Sequence, residues 1–139
     1  MKRSRRTVAL VMCAALAVAV AASAVAAAAY KTGRYEGTTS QGHQIGFKAK
    51  KRGVKNFAFT VDVPCTDGTT QALRATGAAA PTNDKGKFKA VFAGLGTTVA
   101  KGKLKRRKAS GTIKSTGVVN QETGASCPDN GVDWSARKQ

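Results

Sequence analysis

Val54-Lys55-Asn56-Phe57-Ala58-Phe59-Thr60-Val61-Asp62-Val63-Pro64-Cys65 decides how the rest of the chain is read. Every second residue from Phe57 to Cys65 is apolar, while Asn56, Ala58, Thr60 and Asp62 fall on the other side. A period of two built from aromatic and β-branched residues marks a strand buried on one face. It stops at Pro64, which cannot donate to a ladder. The cysteine that follows has one partner in a mature chain, Cys127, so the strand delivers half of a disulfide.

Upstream, Lys2, Arg3, Arg5 and Arg6 precede an uncharged run from Thr7 to Ala29 that ends in small residues. This is the order of a helical signal peptide, residues 1–29, with cleavage after Ala28 or Ala29, just before Tyr30. The general secretory route is favoured. Arg5-Arg6 with the Ala-rich core also suits twin-arginine export, although Val8 and Ala9 stand where that motif prefers Phe and Leu. An uncleaved N-terminal anchor is the competing fate, since the run is long enough to cross a bilayer. Residues 30–139 then form a single secreted domain. The leader holds four of the 24 basic residues and none of the seven acids, which leaves a mature net charge of +13. Cys13 leaves with the leader, and two cysteines in an exported chain imply a bridge between Cys65 and Cys127. A crosslink over 62 residue steps stabilises by about 4 kcal/mol on the chain-entropy account.

The remaining chain continues the period of two. Tyr35 points inward in a first short strand, and Ile45, Phe47 and Ala49 share a face in the next. Lys51-Arg52-Gly53 joins that strand to the central one as a hairpin. Leu73 and Ala75 mark a weaker strand, whereas Gly77 to Gly86 reads as the longest loop. Phe88, Ala90 and Phe92 alternate with Lys87 and Lys89. Ala100, Gly102 and Leu104 then face inward, followed by a short strand around Ile113 that Val118-Val119 extends. A closing strand turns Val132, Trp134 and Ala136 inward and Asp133, Ser135 and Arg137 outward. The expected fold is all-β: an antiparallel β-sandwich or squat barrel of seven or eight short strands. Its core is Tyr35, Ile45, Phe47, Phe57, Phe59, Val61, Val63, Leu73, Phe88, Phe92, Ile113 and Trp134.

The leader, the Gly33-Arg34-Tyr35-Glu36-Gly37 opening, one cysteine pair and a closing strand with Trp134 together resemble small secreted bacterial β proteins. The resemblance spans most of the mature chain. It implies a fold type and brings no catalytic residues with it.

Residues able to do chemistry are sparse. His43 is the single histidine, and Ser40 or Ser110 would have to serve as its nucleophile in a small hydrolase. No glycine-framed serine supports that reading, and a general base needs partners the chain does not advertise. Asp129-Asn130-Gly131-Val132-Asp133 has oxygens at calcium-like spacing but lacks the rest of an EF-hand loop. Neither a metal nor a cofactor is expected. The feature above background is Lys101-Gly102-Lys103-Leu104-Lys105-Arg106-Arg107-Lys108, in which six of eight residues are cationic. Extended, it lines Lys101, Lys103, Lys105 and Arg107 along one face; as a hairpin tip, it crowds Arg106, Arg107 and Lys108. Such a run attracts polyanions, namely phosphate polymers of the envelope, anionic lipid headgroups, acidic polysaccharide or extracellular nucleic acid. No interleaved aromatics are available to stack bases, so sequence-specific nucleic-acid recognition is not expected. Lysines of this kind also keep strand edges from associating, which is the competing explanation of the run. Lys48, Lys50, Lys51, Arg52 and Lys55 form a second cluster, read as ordinary hairpin surface. The sequence thus points to a secreted, basic, non-enzymatic and monomeric β domain that associates non-specifically with anionic envelope or extracellular polymers. The alternative is a protein–protein module, such as an inhibitor of a secreted enzyme, with Ala78 to Lys85 or Gly94 to Thr98 as its contact.

Overall fold

The computed structural model describes residues 30–139, so the expected leader, with its expected cleavage or anchoring, lies outside the described residues. Eight antiparallel strands make the main sheet: β1 (Gly33–Thr39), β2 (Gln44–Lys50), β3 (Gly53–Pro64), β4 (Thr70–Pro81), β5 (Lys87–Gly94), β6 (Gly96–Lys105), β7 (Lys108–Thr116) and β10 (Asn130–Lys138). Two short strands, β8 (Val118–Val119) and β9 (Ser126–Cys127), pair with each other between β7 and β10. The order β4-β3-β2-β1-β10-β7-β6-β5 curls until its edges β4 and β5 meet at one bridge, Thr82 with Phe88. The result is a nearly closed up-and-down barrel, in which neighbours around the wall follow one another along the chain except where the first strand, β1, meets the last, β10.

The period of two fills the interior. Tyr35, Phe47, Phe57, Phe88 and Trp134 are all buried and form one aromatic cluster. Phe47 stacks on Tyr35 and Phe57 at 5.2 and 5.3 Å, and Trp134 meets Phe47 and Phe57 edge-on at 5.9 and 5.8 Å. A small barrel is filled by its own side chains in this way. Gly102 makes room for the cluster, because a Cβ there would sit 2.5 Å from the Trp134 ring and 2.7 Å from Phe88. The Trp134 indole N–H is, among the described residues, the one buried side-chain polar atom without a hydrogen-bond partner.

The expected core is buried apart from Phe92, which is half-exposed at the seam between β4 and β5 and packs edge-on against Phe59 at 4.9 Å. One feature lies outside the expected alternation, and two local readings change. Val54 and Phe57 both point inward although they are three residues apart. Asn56, at φ 53°, forms a bulge that shifts the register there, and Asn tolerates this left-handed conformation better than most residues. Ala78 to Pro81 is strand rather than loop: pairing of Phe57 with Ala78 and of Val54 with Ala80 overrides the weak β preference of alanine. Val118-Val119 does not prolong β7. Gly117 turns the chain at φ 65°, and the pair moves to its own small ladder with Ser126-Cys127.

Candidate functional site: a charge-polarised barrel

In an up-and-down barrel, alternate turns fall at the same end. Here that alternation sorts the charges. The turns at 40–43, 65–69 and 95, and the whole segment 117–129, contain no Lys or Arg, but they carry Asp67, Glu122 and Asp129. The other end gathers Lys31, Lys51, Arg52, Lys85, Arg106 and Arg107, with Asp84 as its one acidic turn residue.

Each end is held by different means. At the acidic end, Cys65 at the tail of β3 is bonded to Cys127 of β9. The clip that carries Cys127 is hydrogen-bonded beside the bridge. Thr66 N–H donates to Ser126 O at 2.9 Å, and Asn120 Nδ2 donates to Thr69 Oγ1 at 2.8 Å. Asp67 Oδ1 accepts from both the N–H and the hydroxyl of Thr69, and these bonds to the charged form hold its carboxyl below the usual value. The bridge expected from the sequence is therefore present, and it fits an extracytoplasmic location.

At the basic end, Tyr30 closes the barrel mouth. It is 6% exposed, and its hydroxyl bonds Lys50 O at 2.7 Å and Thr82 Oγ1 at 2.8 Å, joining the β2–β3 and β4–β5 connections. Its backbone bridges Arg106, and Lys31 N–H donates to Arg106 O at 2.7 Å. Tyr35 donates from its hydroxyl to Lys31 O at 2.7 Å. Burial raises the Tyr35 pKa, and Arg107 nearby offsets part of that rise. Arg106 itself adopts φ 56°, a costly conformation for a residue with a Cβ, held in place by these bonds to its carbonyl.

The basic run is part strand and part hairpin tip, and Arg107 lies in the turn rather than on the face shared by Lys101, Lys103 and Lys105. Lys101, Lys103 and Lys105 project from the exposed side of β6, Arg106-Arg107 forms the turn, and Lys108 begins β7. Across the strands, Lys87 faces Lys103, Lys89 faces Lys101, and Lys105 faces Lys108, which in turn faces Arg137. Like charges directly opposite one another destabilise a sheet. Among the described residues, the one ion pair made by a Lys or Arg is Arg34 with Glu36. The β2–β3 cluster reaches the same end, with Lys48 opposite Lys55, so it is continuous with the basic pole rather than isolated hairpin surface. Lys114 lies towards the other end, opposite Gly131.

Between these cations runs a groove of about 940 Å³ on the outer wall of β6, β7, β10 and β1. Its floor is small: Ser110 pairs with Ser135, and Ser135 with Thr38, in one row across three strands. A Cβ at neighbouring Gly37 would run into the backbone carbonyl of Ser135, so β1 and β10 approach closely there. Sequence reasoning had placed Ser135 and Arg137 on the outer face, but not beside the Lys103–Lys108 hairpin, because cross-strand register is not written in either segment alone.

His43 lies at the acidic end, where its Nε2–H donates to Asp62 Oδ2 at 2.7 Å. Gln41 brackets the Asp62 backbone, accepting from its N–H and donating to its carbonyl. The carboxylate that a catalytic histidine requires is thus present. Among the described residues, no hydroxyl or thiol hydrogen-bonds the His43 ring, and Ser110 lies on the groove floor instead. Nor do three His, Cys, Asp or Glu side chains among the described residues gather as metal ligands would. In comparisons with known proteins, the chain matches no family model, no curated protein and no solved structure.

Proposed function

We propose that this protein is an exported, non-enzymatic β domain that associates with anionic polymers of the envelope or extracellular space through its basic pole. The observation that carries this reading is the set of in-register cation pairs without acidic partners among the described residues, Lys87–Lys103, Lys89–Lys101 and Lys105–Lys108. A sheet that places like charges opposite one another gives up stability, and a bound polyanion restores it by neutralising them. Solubility alone requires no such register.

The test is retention on an envelope preparation at low and high salt, with wild type beside a variant carrying Lys103→Ser, Lys105→Ser, Arg106→Ser, Arg107→Ser and Lys108→Ser. Wild type should be held at low salt and released at high salt, and the variant should not be held at either. Retention of both proteins at high salt would replace this reading with a shape-driven protein partner. If neither is held, the charge serves only to keep barrels apart.

A further inference from the structure

We infer that the groove over Ser110, Ser135 and Thr38 is the seat of a single flexible, phosphate-repeating polymer. The inference deepens the polyanion reading and rests on it. Two parallel rows cross the strands. One is Lys105, Lys108, Arg137 and, at its β1 end, Glu36, whose carboxylate is paired with Arg34; the other is Lys103, Ser110, Ser135 and Thr38. Neighbouring strands stand about 4.8 Å apart, and outward residues of one strand recur about every 7 Å. Over β6, β7 and β10 each row is therefore a line of donors at close spacing, the two rows run side by side, and Glu36 ends the first row on β1.

The second row has one long cation at its β6 end and three short hydroxyls beyond it, so the floor is recessed beneath the first row. A chain lying in that trough meets ammonium and guanidinium groups along its side and hydroxyls from below. A tetrahedral phosphate has oxygens for both directions at once. A carboxylate presents only two oxygens in one plane and so cannot face the side and the floor at once. The three lysines and three arginines that line the groove attract either anion, so the hydroxyl floor is what separates phosphate from carboxylate. The floor spans only three strands, about 10 Å, so a rigid duplex rides over the rim without reaching the hydroxyls. No aromatic ring lines the groove, so bases or sugar faces would find nothing to stack on.

The experiment titrates purified protein with long-chain inorganic polyphosphate, polyglutamate and duplex DNA across a salt series. Wild type should bind polyphosphate most tightly. With Lys103, Lys105, Lys108 and Arg137 engaged, its log–log salt slope should be about −3. A Thr38→Ala, Ser110→Ala, Ser135→Ala variant changes exposed side chains only. It should lose about tenfold in polyphosphate affinity at an unchanged slope and keep its polyglutamate affinity. Amide shifts induced by polyphosphate should centre on Thr38, Ser110 and Ser135. If the hydroxyl variant binds like wild type while the five-site variant loses binding, the groove is not the seat, although polyanion association stands. Shifts confined to Arg106 and Arg107, or duplex DNA competing as well as polyphosphate, would likewise overturn the groove. Wild type that ignores all three polymers would overturn the polyanion reading itself.

Discussion

The two ends of this barrel reach order by opposite routes. The acidic end is tied covalently, with Cys65–Cys127 anchoring a small clip whose side chains hydrogen-bond the β3–β4 turn. The basic end has no crosslink and is stitched by two tyrosine hydroxyls to the carbonyls of cation-bearing loops. A crosslink acts chiefly on the unfolded chain, so the loops it closes need contribute little packing. Hydroxyl bonds act only in the folded state, and here they hold together segments whose charges push them apart. The crosslink and the cationic cluster thus lie at opposite ends, and each can be perturbed separately.

The largest effect should come from Cys65→Ser with Cys127→Ser, a loss of about 4 kcal/mol in denaturant unfolding. Hydrogen exchange should accelerate first around Thr66 to Thr69 and Asn120 to Cys127, with Lys31 and Arg106 little changed. Equal acceleration at both ends would erase the contrast.

Tyr30→Ala is the mirror experiment. Removing a buried aromatic side chain costs about 3 kcal/mol, and exchange should rise at Lys31, Thr82 and Leu104 while the clip stays protected. Tyr30→Phe keeps the ring and loses only the two hydroxyl bonds, so about 1 kcal/mol should separate it from wild type.

The ends should also fail at opposite extremes of pH. Tyr35 has a raised folded-state pKa, so its contribution is fully present below the ordinary tyrosine value of 10.0 and is lost as pH rises through the folded value. Tyr35→Phe should flatten that alkaline slope in unfolding curves measured from pH 9 upward. Asp67 has a lowered pKa. Its smaller contribution is present above 3.8 and is lost as pH falls through the folded value. Asp67→Asn should weaken that acid dependence and leave the alkaline limb untouched.

Much of this architecture was legible before any coordinates. The run from Phe57 to Cys65, the alternation of Phe88 with Lys87 and Lys89, and the cysteine pair specify a buried-face sheet with one bridge. Asn56 escaped notice because a bulge breaks the parity on which the reading depends. The alanines of β4 were mistaken for loop because their strand exists only through pairing with β3. The polarity of the barrel was invisible for a topological reason. Lys51-Arg52, Lys85 and Arg106-Arg107 are far apart in the chain and share an end only because the meander returns them to it. His43 and Asp62, 19 residues apart, meet by the same rule at the other end.

The bonds from Lys31 N–H to Arg106 O and from Lys138 N–H to Arg107 O have a consequence for whatever precedes Tyr30. Both bring a terminal segment of the described chain to the Arg106-Arg107 turn. A leader retained in a bilayer would act as a tether and hold the cationic mouth against the lipid headgroups. A leader cut away just before Tyr30 would leave a fresh α-ammonium at that same mouth. In either case the bond from Lys31 N–H keeps the start of the described chain beside the Arg106 carbonyl.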